Sequence, residues 1–536
     1  MLHVPELLEP RRLLAVAPFA LGGDGFDGEA IVKDAGDGGT IVAGLFSGTT
    51  DFAPGAEQVT RTARGDTDIF VAKYDAAGDL LWVNQFGGGN REDQFESQED
   101  RDQVTAPFRL GLSPTRVSAT AIGAGEYVTD LAVDADGNIF AVGTFAGTGT
   151  YGDFVLRTPR GDFYDALMLK IDTDGNLIFA RQWGGEFDDA ALSVGLDPKG
   201  NPYVGGYFSR IADFNPNGGS NPSTLRNGGG PAFNLEADGR DDAFVALFSA
   251  GAGNLAWVGQ FGGDGFESDE RDAVNDIAVD EIGNVYAGGT FSGSADFNPN
   301  PNSRFVVRGG DETDMFTMLL SVNQKLVWVA TQGGDDRDGI GAVALAPGGG
   351  VYSVGYFEER ADVIPGDDEF FFRAAEGNGI DDADTDLVLN RFAEDGTLLW
   401  TKQMGGPGFE TIGDLTTNAS GEPILTGGFF GTADFDPSPG RFTLSSTRGN
   451  DNNLGDDDNN TGDRDENSYD AFVVRLDVDG RFGGAQRLGG TGDDYAQSVM
   501  VRAGVVTLAG YFENTLVDGL VTREEEAIFI VDIVGL

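Results

Sequence analysis

The chain has no cysteine among its 536 residues and a single histidine, His3. The first absence excludes disulfides, zinc–thiolate sites and thiol nucleophiles together. The second removes any histidine base or ligand beyond the first few residues. No run of 18 or more apolar residues occurs, so no segment has the length and character of a membrane-spanning helix. Basic residues are scarce: 35 Lys and Arg face 88 Asp and Glu, a formal charge of −53. Such a surface repels phosphate backbones and anionic lipid, which argues against nucleic acid and membrane partners. It suits divalent cations, basic partners, or plain solubility in a salty medium.

What is abundant is glycine, at 83 residues, without a collagen-like period. With 40% hydrophobic residues, that composition fits many short strands joined by turns. Self-similarity confirms a repeat. A Gly-Gly pair closes each unit, at Gly22-Gly23, Gly87-Gly88, Gly184-Gly185, Gly262-Gly263, Gly333-Gly334, Gly405-Gly406 and Gly489-Gly490. Five residues before most pairs stands an aromatic: Trp82, Phe179, Trp257, Trp328 or Trp400.

Each unit holds four strand-like runs, A to D. Examples are VTDLAVD at 128–134 (A), NVYAGGTF at 284–291 (B), DIFVAKYD at 68–75 (C) and LLWVNQFGG at 80–88 (D). Asp-Gly and Gly-Asn pairs between A and B and between C and D supply the positive φ angles of tight hairpins. Run B carries a glycine at a fixed register: Gly44, Gly143, Gly206, Gly289, Gly355, Gly428 and Gly510. It marks a bulge or a close backbone approach, which tight packing of adjacent blades would require.

Units A–B–C–D are complete six times up to Gly490. A further copy supplies A, B and C at 495–533, and its D run stands at the front, at Val16–Gly23. The expected fold is therefore all-β: a seven-bladed β-propeller of four-stranded antiparallel blades, closed by the N-terminal strand. It would form one domain over 16–536, preceded by a leader at 1–15.

Two resemblances follow. The recurring D-x-x-G-N-[IV]-[FY], D-[AI]-F-V-x-K-[YI]-D and W-x-x-Q-F-G-G segments resemble the SBBP-type β-propeller repeat of exported bacterial proteins. That implies the fold and an extracellular setting, not one activity. Thr331 departs from it where Gln85 would align. The run Leu8-Glu9-Pro10-Arg11-Arg12-Leu13-Leu14-Ala15 resembles the LExRxLLA motif of exported surface proteins. The resemblance implies a secreted or cell-surface location.

Candidate chemistry lies in acidic insertions at 89–126, 215–240, 362–384 and 436–469, which strand alternation would gather on one face. Calcium takes carboxylate, carbonyl and water oxygens. The candidate ligands are Asp51, Asp213, Asp296 and Asp434, which end run B as Asp-Phe, together with Asp264, Asp269, Asp272, Asp336 and Asp338. The competing reading makes Asp-Phe an Asx-turn with Phe plugging the blade end, and the other acids solvated surface. Asp134-x-Asp136-Gly137-Asn138 begins like an EF-hand loop, but Phe145 stands where the closing Glu belongs, so it reads as a hairpin turn.

No catalytic motif is found, and the expected function is a non-catalytic, monomeric surface scaffold. Its partner would be an extracellular protein or a polysaccharide, with calcium as candidate cofactor. The alternative is a polysaccharide-active enzyme using loop carboxylates; loop aromatics are few (Phe95, Phe108, Phe233), which counts against a sugar-stacking cleft. A third class is a quinone-dependent propeller dehydrogenase, suggested by the run Asp75–Trp82.

Overall fold

The computed structural model describes residues 19–25, 27–53, 58–65, 67–88, 125–160, 163–216, 233–263, 271–366, 370–375, 385–447, 468–490, 492–515, 521–533 and 536. The leader, Phe95, Phe108, Asp264 and Asp269 fall outside them. The fold is an all-β propeller, and no helix occurs among the described residues.

Its unit is an antiparallel quartet. In the second, the A strand Glu126–Val133 pairs with B (Ile139–Ala146), B with C (Tyr164–Ile171), and C with D (Leu177–Gly185). Strand B is wholly buried, as its almost entirely apolar sequence requires of a strand covered on both faces. Asp134 Oδ1 accepts the N–H groups of Asp136 and Asn138 at 3.0 and 2.8 Å, and Gly137 has φ +82°. The EF-hand-like segment is thus a hairpin turn.

Inner A strands touch in succession: Asp27–Asp34, Glu126–Val133, Ala190–Leu196, Ala273–Val279, Asp338–Leu345, Glu410–Thr417 and Asp494–Arg502, the last returning to the first. A polar relay accompanies these contacts. Asp130 Oδ2 accepts the Val194 N–H (2.9 Å), Ser193 Oγ that of Ile277 (3.2 Å), and Asp276 Oδ2 that of Val343 (2.8 Å). Asp414 Oδ2 accepts from Val499 (3.1 Å) and Ser498 Oγ from Val32 (3.2 Å). At the other edge of the last quartet, Phe19–Gly23 pairs with the C strand, setting Phe19 opposite Ile530 and Leu21 opposite Ile528.

Two expectations are corrected. The register glycines of run B meet their own A strand rather than the next quartet: a methyl on Gly143, Gly206, Gly289 or Gly510 would be driven into the carbonyl oxygen of Tyr127, Ala190, Ala273 or Tyr495. The pairing register shifts there, as between Val274 and Asp276, so the glycine lies opposite a bulge in the A strand. In the sixth quartet Gly427, not Gly428, takes that place.

The described B–C connections are also not free loops. They form two-stranded ribbons, such as Thr49–Asp51 with Thr60–Thr62, whose first strand pairs with the preceding quartet's Gly-Gly end: Gly22 with Asp51, Gly184 with Asp213, Gly262 with Asp296. The ribbons satisfy backbone groups that long connections would otherwise leave to water.

Candidate functional site

Two arrangements recur from quartet to quartet. One lies on the ribbons, the other in the seams.

On the ribbons, Asp51, Asp213, Asp296, Asp362 and Asp434 each direct Oδ1 at two backbone N–H groups. For Asp213 these are Asn215 (2.9 Å) and Phe233 (2.8 Å); for Asp296, Asn298 (3.0 Å) and Phe305 (2.8 Å); for Asp434, Asp436 (3.1 Å) and Phe442 (2.9 Å). Asp51 holds Ala53 and Val59 in the same way, and Asp362 holds Ile364 and Phe370. The following Phe52, Phe214, Phe297 and Phe435 are buried plugs. The Asp-Phe acids therefore clamp turns, and the structure does not bring them together as a metal site.

Four of the five clamps also set a side chain outward, while the Val59 held by Asp51 packs against the core. Phe233, Phe305, Phe370 and Phe442 occupy one equivalent position and are 39–52% exposed. Sequence reading missed three of these four because they lie several residues beyond the Asp-Phe pair, with no motif of their own.

In the seams, the acid heading run C of one quartet meets the acid heading run A of the next. The meetings are Asp68 with Glu126, Asp165 with Asp189, Asp242 with Asp272, Asp314 with Asp338, and Asp386 with Glu410, each across the first glycine of a Gly-Gly pair. Asp470 and Asp494 flank Gly489-Gly490 in the same way. A methyl carbon on Gly262 would sit 2.7 Å from Asp272 Oδ2 and 2.8 Å from Asp242 Oδ1, so the absent side chain is the space both carboxylates share. Gly262 holds φ +149°, a region that itself favours glycine.

The far oxygen of the C acid takes the glutamine of W-x-x-Q: Gln85 donates to Asp68 at 2.6 Å, Gln182 to Asp165 at 2.9 Å and Gln260 to Asp242 at 2.6 Å. The A acid takes backbone donors; Asp272 accepts from Gly263 (3.0 Å) and Ser292 (2.7 Å). At the last seam Ala527 replaces the C acid, and Asp27 stands without that second carboxylate.

Electrostatics follow from burial. Desolvation pushes Asp272 up to about 8, with the Asp242 charge adding to it, and pushes Asp242 up to about 7. Burial likewise raises Asp314 to about 7 and Asp494 to about 9, and raises Asp338 with the help of Asp314.

Of the acids singled out from sequence, Asp272 and Asp338 are therefore seam residues rather than loop residues, because Asp338 begins an inner strand and Asp272 immediately precedes one. Asp336 lies at the surface near Glu312, Asp335 and Glu359. Among the described residues no group of three or more metal-ligating acids converges. The seam partners Asp242 and Asp314 were not anticipated, although an acid fixed at the head of an apolar run in copy after copy was their signal.

Where Thr331 replaces the seam glutamine, a cavity of about 210 Å³ opens beside Asp314, bordered by Arg308, Gly333, Gly334 and Asp362.

No family profile and no curated protein matches the chain. Among solved structures it is similar to a quinohemoprotein alcohol dehydrogenase from Comamonas testosteroni, at 10% identity over 90% of this chain and 73% of that one, with a TM-score of 0.33. It is also similar to a europium-containing methanol dehydrogenase, at 12% identity over 95% and 93% of the chains, again with a TM-score of 0.33. Likeness at that level transfers no residue or chemistry to this chain.

Proposed function

We propose that this chain is an exported, non-catalytic binding scaffold: a seven-bladed propeller closed by the strand Phe19–Gly23, engaging an extracellular protein or polysaccharide through its ribbons. Closure is supported by the pairing of that strand with the last C strand and by the return of the inner-strand contacts from Asp494–Arg502 to Asp27–Asp34. Export rests on the leader and repeat resemblances.

The observation that carries the binding role is the set of outward phenylalanines. Exposing one large aromatic costs little, but repeating it at a position held by a dedicated clamp marks a contact surface. Arg304 and Arg441, both strongly exposed, stand next to Phe305 and Phe442 and add charge contacts to the apolar ones.

A triple variant, Phe305→Ser, Phe370→Ser and Phe442→Ser, tests this against glycan and protein arrays. The expected result is retained folding with loss of whatever the wild type captures. Capture undiminished in the triple variant overturns the role of the ribbons. Release of reducing ends from a bound polysaccharide by the wild type would replace the scaffold with the enzyme alternative.

A further inference from the structure

The Asp242–Asp272 and Asp314–Asp338 pairs combine features that a merely structural acid does not need. All four side chains are at least nine-tenths buried. Asp242 Oδ1 and Asp338 Oδ2 have no hydrogen-bond partner among the described residues, whereas Asp242 Oδ2 accepts from Gln260, Asp272 from Gly263 and Ser292, Asp314 Oδ2 from Gly310 and Asp338 Oδ1 from Glu358. Each of these oxygens faces the shared space at the glycine: Asp242 Oδ1 lies 2.8 Å and Asp338 Oδ2 3.0 Å from the point where a Cβ on Gly262 or Gly333 would stand. No lysine or arginine forms an ion pair with any of the four acids among the described residues; Arg271, next to Asp272 in sequence, is committed to Asp241 at 2.9 Å.

Two carboxylates facing one buried gap, with no ion pair to a basic residue among the described residues, are costly, and a divalent ion between them would neutralise both. Magnesium holds its waters and suits wetter sites, whereas calcium accepts about six to eight oxygens in flexible geometry. Backbone carbonyls and water must complete its shell; at the Asp314–Asp338 seam the cavity beside Asp314 provides room for water and a way in.

We infer that calcium ions occupy the seams, one between Asp242 and Asp272 and one between Asp314 and Asp338, joining each blade to the next. This relocates metal binding from the acidic insertions to the interior. It rests on the propeller reading but not on what the ribbons bind. The last seam, where Ala527 faces Asp27, takes no ion.

Full-length protein is stripped of metal with a chelator, dialysed against calcium, and its bound metal counted by atomic emission. At least two calcium ions per chain are expected. Asp242→Asn and Asp314→Asn should each lower the count by one, and Asp213→Asn, which alters only a ribbon clamp, should leave it unchanged. The melting temperature should climb with the logarithm of free calcium, and more than with magnesium at matched ionic strength. Should either Asn variant fail to fold, the wild-type count and the other variant decide. A wild type that retains no calcium, or a count that neither variant changes, overturns the proposal and leaves each pair sharing a proton instead. The ribbon phenylalanine variants keep their calcium in either case, so the two readings fail separately.

Discussion

The indole Nε1 of Trp82 donates to the backbone carbonyl of Thr173, 3.1 Å away and in the following quartet. Trp328 does the same to Glu394 (3.0 Å) and Trp400 to Val478 (3.1 Å). In each case the ring also covers the glycine of that C–D turn: Gly175, Gly396 or Gly480. Three of the four tryptophans in the register seen in the sequence thus latch one quartet to the next. Trp400→Phe should keep the cover and lose the bond, costing about 0.5–1.5 kcal/mol. Trp400→Ala should cost more than Trp400→Phe. Urea unfolding of both variants checks the order.

Removing residues 1–23 takes away the partner of the last C strand and bares an edge that includes Ile528 and Ile530. Aggregation or a clear drop in melting temperature is expected. A soluble monomer melting like the full chain would contradict closure.

Gly289→Val should be far more damaging than Asn300→Ala, a change at an exposed turn. The added side chain collides with the Ala273 carbonyl, a backbone atom that can yield only by breaking the bulge, so a cost of about 1–3 kcal/mol or more is expected. Parallel thermal melts decide it.

Asp27 provides a pH test outside the paired seams. Burial raises it to about 8, while in the unfolded chain it ionises near 3.8, the ordinary value for an aspartate. Between those values the folded state holds a proton that the unfolded state has lost, so stability falls as pH rises through the window and levels off above it. Asp27→Asn should flatten the decline by about one proton, near 1.4 kcal/mol per pH unit. Denaturant midpoints measured from pH 4.5 to 8.5 for both proteins test the slope.

The repeat, its four runs and their hairpin turns were legible because period-2 apolar runs and positive-φ glycines are local signals. Gly175 and Trp82 could be read one at a time; that they touch could not, because the 92 residues of intervening chain carry no mark of the contact. The seam acids failed for a related reason. Asp272 sits in a run of acids that reads as solvated surface, and only packing against Asp242 buries it. In a chain so rich in carboxylates, composition conceals the few that are out of water.

The ribbon clamps have a consequence for how such a chain can diversify. Asp213 bonds to Phe233, 20 residues on, whereas Asp296 closes on Phe305, 9 residues on, yet both roots have the same geometry. Closing a longer loop costs only logarithmically more entropy. The span between clamp and phenylalanine therefore behaves as an interchangeable cassette: new sequence can be spliced in there without renegotiating the blade beneath it.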